Sequence, residues 1–149
     1  MTVNYESLAA QLAALTDGVP YETANLANAS ALLWQELPEI NWVGFYKMEK
    51  DRLILGPFQG KPACIVIPVG KGVCGTAVAE DAVQRVEDVH AFPGHIACDC
   101  ASRSEIVLPI HKDGRIWGVL DIDSPHLARF TEADRVGLER IVEILERVL

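Results

Sequence analysis

The chain is short of several things, and each shortage removes a class of function. Cationic residues are scarce: 13 Lys and Arg stand against 21 Asp and Glu, a formal charge of −8. Nucleic acids and anionic membrane surfaces both select cationic faces, so neither is the expected partner. No apolar run reaches the roughly 18 residues that a membrane helix needs. The opening stretch MTVNYESLAAQLAAL lacks a basic n-region and carries Glu6, so it does not read as a secretory signal. The expectation is a cytoplasmic protein, a compartment where thiols stay reduced and structural disulfides are rare. Repeats, linkers and low-complexity tracts are also missing, and 149 residues suit a single domain over 1–149 with a sizeable core. Finally, there is no C-x2-C pair, the usual spacing of zinc ribbons and fingers.

What is present begins with helices. YESLAAQLAALT sets Leu8, Leu12 and Leu15 at helical spacing. After Gly18 and Pro20, YETANLANASALLWQEL predicts a second helix, with Ala24, Ala27, Ala31 and Trp34 as one stripe and Leu26, Leu33 and Leu37 as another. This helical part covers about 1–38. Short alternating runs follow. NWVGFYKM, DRLILGPF and ACIVIPV read as strands, with a hairpin at Lys50-Asp51. GKGVCGTAVAE predicts a short helix opened by glycines, and AVQRVEDV a brief strand. SEIVLPIHKDGRIWGVLDID holds two strands around the hairpin dipeptide Asp113-Gly114. In TEADRVGLERIVEILERVL, Thr131 caps, Asp134 sits three residues on, and Leu138, Ile141, Val142, Leu145 and Val148 form the buried stripe. Helices first, then hairpin-linked strands, then a helix argue an α+β fold with an antiparallel sheet.

Strand alternation decides which side chains share a face. Trp117, Val119, Asp121 and Asp123 point one way, and Glu105 shares a face with Val107. Across a hairpin, three acids converge. Like charges gathered in one place need a proton or a cation to resolve them, so the set reads as a cage for an ammonium group or a metal; a solvated strand end is the plainer alternative. Trp42, Gly44 and Tyr46 share a face, with a notch between two rings: either a core pair or a wall for a methyl or thioether group.

Four cysteines run Cys64-x9-Cys74-x23-Cys98-x-Cys100. Cys64 sits in an apolar strand, where a buried, inert thiol is the plain reading. Cys74 stands near a helix start, where the dipole would lower a thiol pKa. Cys98 lies in the loop GHIACDCASRSE between His95 and Asp99. A loop thiol that meets others from elsewhere in the fold suits an attacking and resolving pair. His90 and His95 keep an irregular zinc site among the alternatives; His90, His95 and His111 otherwise read as surface residues, as His126 does. Asp99 shapes the loop, and its charge would oppose a thiolate.

The runs GPFQGKPACIVIPVGKGVCGTAVAE, VEDVHAFPGHIACD, SEIVLPI and GVLDIDSP resemble the free methionine-(R)-sulfoxide reductases, stand-alone GAF-domain enzymes. The match spans about Trp42 to Pro125. The resemblance implies a GAF-like fold and the reduction of free L-methionine (R)-sulfoxide to methionine, with thioredoxin as reductant and no bound cofactor or metal. Position by position, it implies Cys98 as the catalytic cysteine, Cys64 as the main resolving cysteine and Cys74 as a further redox-active one. Glu105, Asp121 and Asp123 match acids that bind substrate, and Trp42 and Tyr46 match aromatic pocket residues. Cys100 departs from the pattern and is given no required role. On this reading the Cys98 thiolate attacks the sulfoxide sulfur, Glu105 or Asp123 supplies the proton, and the other carboxylates hold the substrate ammonium. No Arg suggests itself for the substrate carboxylate, and backbone N–H groups of the catalytic loop are the expectation. A homodimer is expected for this domain type. Rival readings are a ligand-sensing GAF domain without catalysis, a zinc-binding regulatory module, and a reductase of peptide methionine sulfoxide.

Overall fold

The structure is a computed structural model and describes residues 2–95 and 101–149. Cys98, Asp99 and Cys100 lie outside the described residues. The elements run α1 (Tyr5–Thr16), α2 (Glu22–Glu36), β1 (Trp42–Glu49), β2 (Arg52–Gly60), β3 (Val66–Pro68), α3 (Gly72–Glu80), β4 (Gln84–Val86), a 3-10 turn (Val89–Ala91), β5 (Ser104–Lys112), β6 (Arg115–Ser124) and α4 (Glu132–Glu146). The strands form one antiparallel sheet in the order β3-β2-β1-β6-β5-β4, as the segregated α+β pattern predicts. No helix among the described residues is long and apolar enough to cross a membrane.

The two faces of the sheet carry separate apolar clusters. On one, α1, α2 and α4 bury Leu8, Leu12, Leu26, Leu33, Leu138 and Ile141 against Val43, Phe45, Ile106, Leu108, Leu120 and Ile122. On the other, α3 sets Val73, Cys74 and Ala77 against Trp42, Tyr46, Val107 and Val119. The alternation predicted for β1, β5 and β6 thus sends one set of residues to the helices and the other to the site.

Thr131 and Asp134 form a capping box at the start of α4. Asp134 also accepts a hydrogen bond from Tyr5 Oη at 2.7 Å and pairs with Arg129 at 3.0 Å. This one carboxylate therefore fastens α1 and the loop before α4 to the same point.

Three expectations need correction. In α2 the buried stripe is Leu26, Ala29 and Leu33, while Ala24, Ala27, Ala31 and Trp34 face outward. Leu15 is also exposed; the end of α1 buries Thr16, whose hydroxyl donates to the Leu12 carbonyl at 2.9 Å. Trp117 does not join Val119: it packs with the helix-side cluster, and Ile116 packs on the site side. The cause is a bulge. Ile110 pairs with Gly118 and His111 with Ile116, so Trp117 is an extra residue and the side-chain parity flips.

Gly118 sits beside this bulge because nothing larger fits. A Cβ there would lie 2.0 Å from the Tyr46 carbonyl oxygen. Gly118→Ala must push β6 off β1 at the base of the site. We expect a loss of about 3 kcal/mol or more in urea unfolding, at or beyond the top of the usual overpacking range.

Candidate functional site

The site is built from the residue register of three strands. Glu105 pairs with Asp123, and Val107 with Asp121, across β5 and β6. On the other side of β6, Asp123 pairs with Trp42 and Asp121 with Gly44. Two acids spaced i and i+2 on β6 are thereby flanked by a third acid and by the aromatic face of β1. Backbone pairing braces the strand ends: Asn41 N–H donates to the Asp123 carbonyl at 2.9 Å and Arg103 N–H to the Ser124 carbonyl at 2.7 Å.

Gly44 has a specific task. A Cβ on it would meet Phe58 Cβ at 2.3 Å and the Trp42 ring at 2.8 Å. The expected notch between the rings is therefore filled: Trp42 leans over Gly44 and stacks on Tyr46 at 6.0 Å and on Phe58 at 5.2 Å between centroids. The result is one continuous aromatic wall. The wall and the acids line a small cavity together with Ala63, Lys71, Cys74, His95 and Ser102.

Glu105 and Asp121 are only 7% and 5% exposed, and Cys74 only 4%. Burial pushes the Glu105 carboxyl well up, and the neighbouring Asp121 and Asp123 charges push it further. Burial also raises Asp121, but hydrogen bonds from Glu105 and Cys74 oppose the rise. Burial thus favours a protonated Glu105 carboxyl and a neutral Cys74 thiol beside Asp121. Asp121 Oδ1 accepts no hydrogen bond among the described residues. Leaving such a buried acceptor unsatisfied costs about 1–3 kcal/mol, which a cationic donor in the cavity would offset. The same trio, with Cys74 Sγ and the two carboxylates within 4.8 Å of one another, has the spacing of a metal-ligand set.

The site residues expected from the sequence fall into three groups. Trp42, Tyr46, Cys74, Glu105, Asp121 and Asp123 converge on the cavity. Cys64 is not in a strand: it lies before β3 in the irregular 61–65 segment, half-buried, and is disulfide-bonded. β3 is cut to three residues because it pairs only with Arg52–Ile54. Cys98 and Cys100 lie outside the described residues. The helix dipole does not control Cys74: burial, and then the charges of Asp121, Glu105 and Asp123, raise its thiol pKa well above normal. Cys74 is a free thiol.

Some lining residues had no signal in the pattern. Ser102 is buried with its hydroxyl 3.3 Å from Asn41 Nδ2, and a lone serine after a loop attracts no notice. His95, read as a surface residue, lines the cavity, and burial lowers its pKa. Lys71, between two glycines at a helix start, was not singled out. It is the N-cap of α3 and stands at the cavity mouth beside Gly72 and Val73. His111 lies far from the cavity lining, bridged to Asp81 at 2.7 Å and Glu146 at 3.4 Å.

A sheet with helices on one face and a small acid-lined cup on the other is the layout of a GAF domain, and the GAF domain family model matches residues 7–149. Within that class the comparisons are specific. The chain is 59% identical to the free methionine-R-sulfoxide reductase of Escherichia coli (strain K12) over 97% of this chain and 88% of the relative. It superposes on the structure of the Staphylococcus aureus fRMsr in complex with substrate with a TM-score of 0.96 at 56% identity, covering 100% of this chain and 97% of that one. The free methionine-R-sulfoxide reductase of Neisseria meningitidis, solved in complex with its substrate, gives a TM-score of 0.94 at 46% identity, covering 97% and 87%. The chain belongs to the free methionine-R-sulfoxide reductase family of GAF domains.

The acid cluster makes a stability prediction. The folded-state pKa of Glu105 lies above its unfolded value, so the native state holds a proton that the unfolded chain has released. Stability therefore falls as pH rises from the ordinary carboxylate range through the folded pKa, by at most about 1.4 kcal/mol per pH unit for this one group. Glu105→Gln removes that slope. Urea melts between about pH 5 and pH 8 should show the variant more stable than the parent at the alkaline end.

Proposed function

We propose that this chain reduces free methionine (R)-sulfoxide to methionine at the cup between β1, β6 and α3. The observation that carries the reading is the convergence of three acids and an aromatic wall in one largely buried cavity. An amino acid with an oxidised thioether needs both surfaces. Its ammonium is the cation that the acids call for, with Asp121 Oδ1 as the acceptor. Its methyl-sulfur end suits the rings of Trp42 and Tyr46. Its carboxylate finds Lys71 and the first amides of α3, which have no partners within the helix.

In the reaction, the Cys98 thiolate attacks the sulfoxide sulfur and the oxygen takes up one proton, from Glu105, whose buried carboxyl holds it. Of the two acids considered for this role, Glu105 is favoured because burial and two neighbouring charges act together on it. The oxygen passes to Cys98 as a sulfenic acid and methionine leaves. Cys64 then displaces the hydroxyl as water and forms a disulfide, which the thioredoxin dithiol reduces. Its disulfide-bonded state supports Cys64 in this role. Cys74 is better suited to donating a hydrogen bond to Asp121 than to the relay, because its buried thiol resists ionisation. The electrons come from thiols throughout, so the cycle uses no bound cofactor. A thioredoxin-recharged cycle fits the reducing cytoplasm.

The chain acts as a homodimer, and the outward stripe of Ala24, Ala27, Ala31 and Trp34 on α2 is the surface that a second copy would cover. Trp34→Glu should shift the mass measured by light scattering from dimer to monomer.

The test of function is NADPH consumption with thioredoxin and thioredoxin reductase on racemic free methionine sulfoxide. Consumption should stop at half the sulfoxide, and Cys98→Ser should be inactive. N-acetylmethionine sulfoxide, which has no ammonium, should lose about 10- to 100-fold in kcat/KM, the worth of a charge-assisted hydrogen bond. Full consumption of both epimers, or equal use of the blocked substrate, overturns the reading.

A further inference from the structure

Two aromatic residues of the wall, Trp42 and Tyr46, each have a polar end. Trp42 Nε1–H donates to the Lys61 carbonyl at 3.1 Å. Tyr46 Oη–H donates to the Cys64 carbonyl at 2.8 Å. Both acceptors belong to the 61–65 segment that joins β2 to β3 and has no regular structure of its own. Pro62 in that segment has no N–H to give. At its far end, the Ile65 carbonyl accepts from Leu55 N–H at 2.9 Å. The wall thus supplies two side-chain hydrogen bonds to the segment that carries Cys64.

We infer that Tyr46 and Trp42 are positioning residues for the resolving step: their rings meet the substrate, and their hydroxyl and indole N–H hold the Cys64 backbone where its thiol can reach the sulfenic acid. This rests on the reading of Cys64 as resolving cysteine. The geometric demand is strict, because a disulfide forms only when the two Cα atoms stand about 4.4–6.8 Å apart with suitably directed Cβ atoms. A tie at the carbonyl of the reacting residue itself controls that distance directly. Tyr46 is 2% exposed, so water cannot readily replace its hydrogen bond. Burial also raises the phenol pKa, which keeps it a donor across the physiological range. In the step concerned, Cys98–SOH and Cys64–SH give the disulfide and water. The S–O bond breaks, the S–S bond forms, and the thiol proton leaves with the hydroxyl. The sulfoxide has already served as oxidant.

The experiment is a single turnover of pre-reduced protein on free methionine sulfoxide without thioredoxin, quenched at intervals in the presence of dimedone. Sulfenic adduct and disulfide are counted by mass spectrometry per methionine released, so a slower first step does not enter the ratio. The parent protein should give disulfide almost alone. Tyr46→Phe should slow disulfide formation by about 10-fold, the upper range for one hydrogen bond, and divert product to the adduct. If Tyr46→Phe does not fold, Trp42→Phe, which keeps a ring and drops the indole N–H, reads the same partition. A parent-like partition in the folded variant overturns the inference. Cys64→Ser separates the two levels: it should give adduct alone. If it instead forms an intramolecular disulfide at the parent rate, the assignment of Cys64 itself fails.

Discussion

Glu105, Asp121 and Asp123 are held together in a largely dry cup, and their mutual repulsion there has to be offset by protons, donors or a cation. Much of the fold serves that requirement. The antiparallel pairing of β5 and β6 brings the acids side by side, and β1 adds the aromatic face on the far side of β6. α3 closes the cup and contributes both the Cys74 thiol and the positive end of a helix. The helices on the other face take no part in the chemistry. They bury the opposite set of strand residues, which makes the sheet stiff enough to keep charged groups in a place that does not favour them.

The acid cluster is a compromise. Asp121 has donors on one side and an unsatisfied oxygen on the other. In the proposed reaction a free amino acid restores the balance through its ammonium, which a methionine within a polypeptide lacks, so selection for the free amino acid would follow from electrostatics. The acids also explain why one buried thiol is not interchangeable with another. Cys74 lies among carboxyl groups that hold its proton on, whereas Cys64 lies on a half-buried connecting segment and is engaged in a disulfide.

In the proposed cycle the aromatic wall links substrate binding to the resolving step. Its rings stack over Gly44 and face the cavity, and its polar ends reach the segment that bears Cys64. A residue pair that touches both the substrate and the resolver would be hard to replace singly, because a change that suits one contact disturbs the other.

Much of this was legible in the chain. Periodicity located the helices and strands, and the Asp113-Gly114 turn located the β5–β6 hairpin, but the turn register alone sets Glu105 opposite Ile122; the bulge at Trp117 shifts the pairing by one and puts Glu105 beside Asp123. Motif resemblance supplied the family and the reaction. Other features belonged to the tertiary structure. Which stripe of α2 is buried depends on the partner that packs against it, and an alanine stripe has too little apolar area to decide the matter. The parity of Trp117 flipped because one extra residue in β6 has no local signature. The Cys74 thiol looked activated from its place at a helix start, but burial beside three acids outweighs a helix dipole. Ser102, Lys71 and His95 reach the cavity only because distant segments meet there. Sequence determines what is periodic or adjacent along the chain; desolvation and proximity between remote segments exist only once the chain has folded.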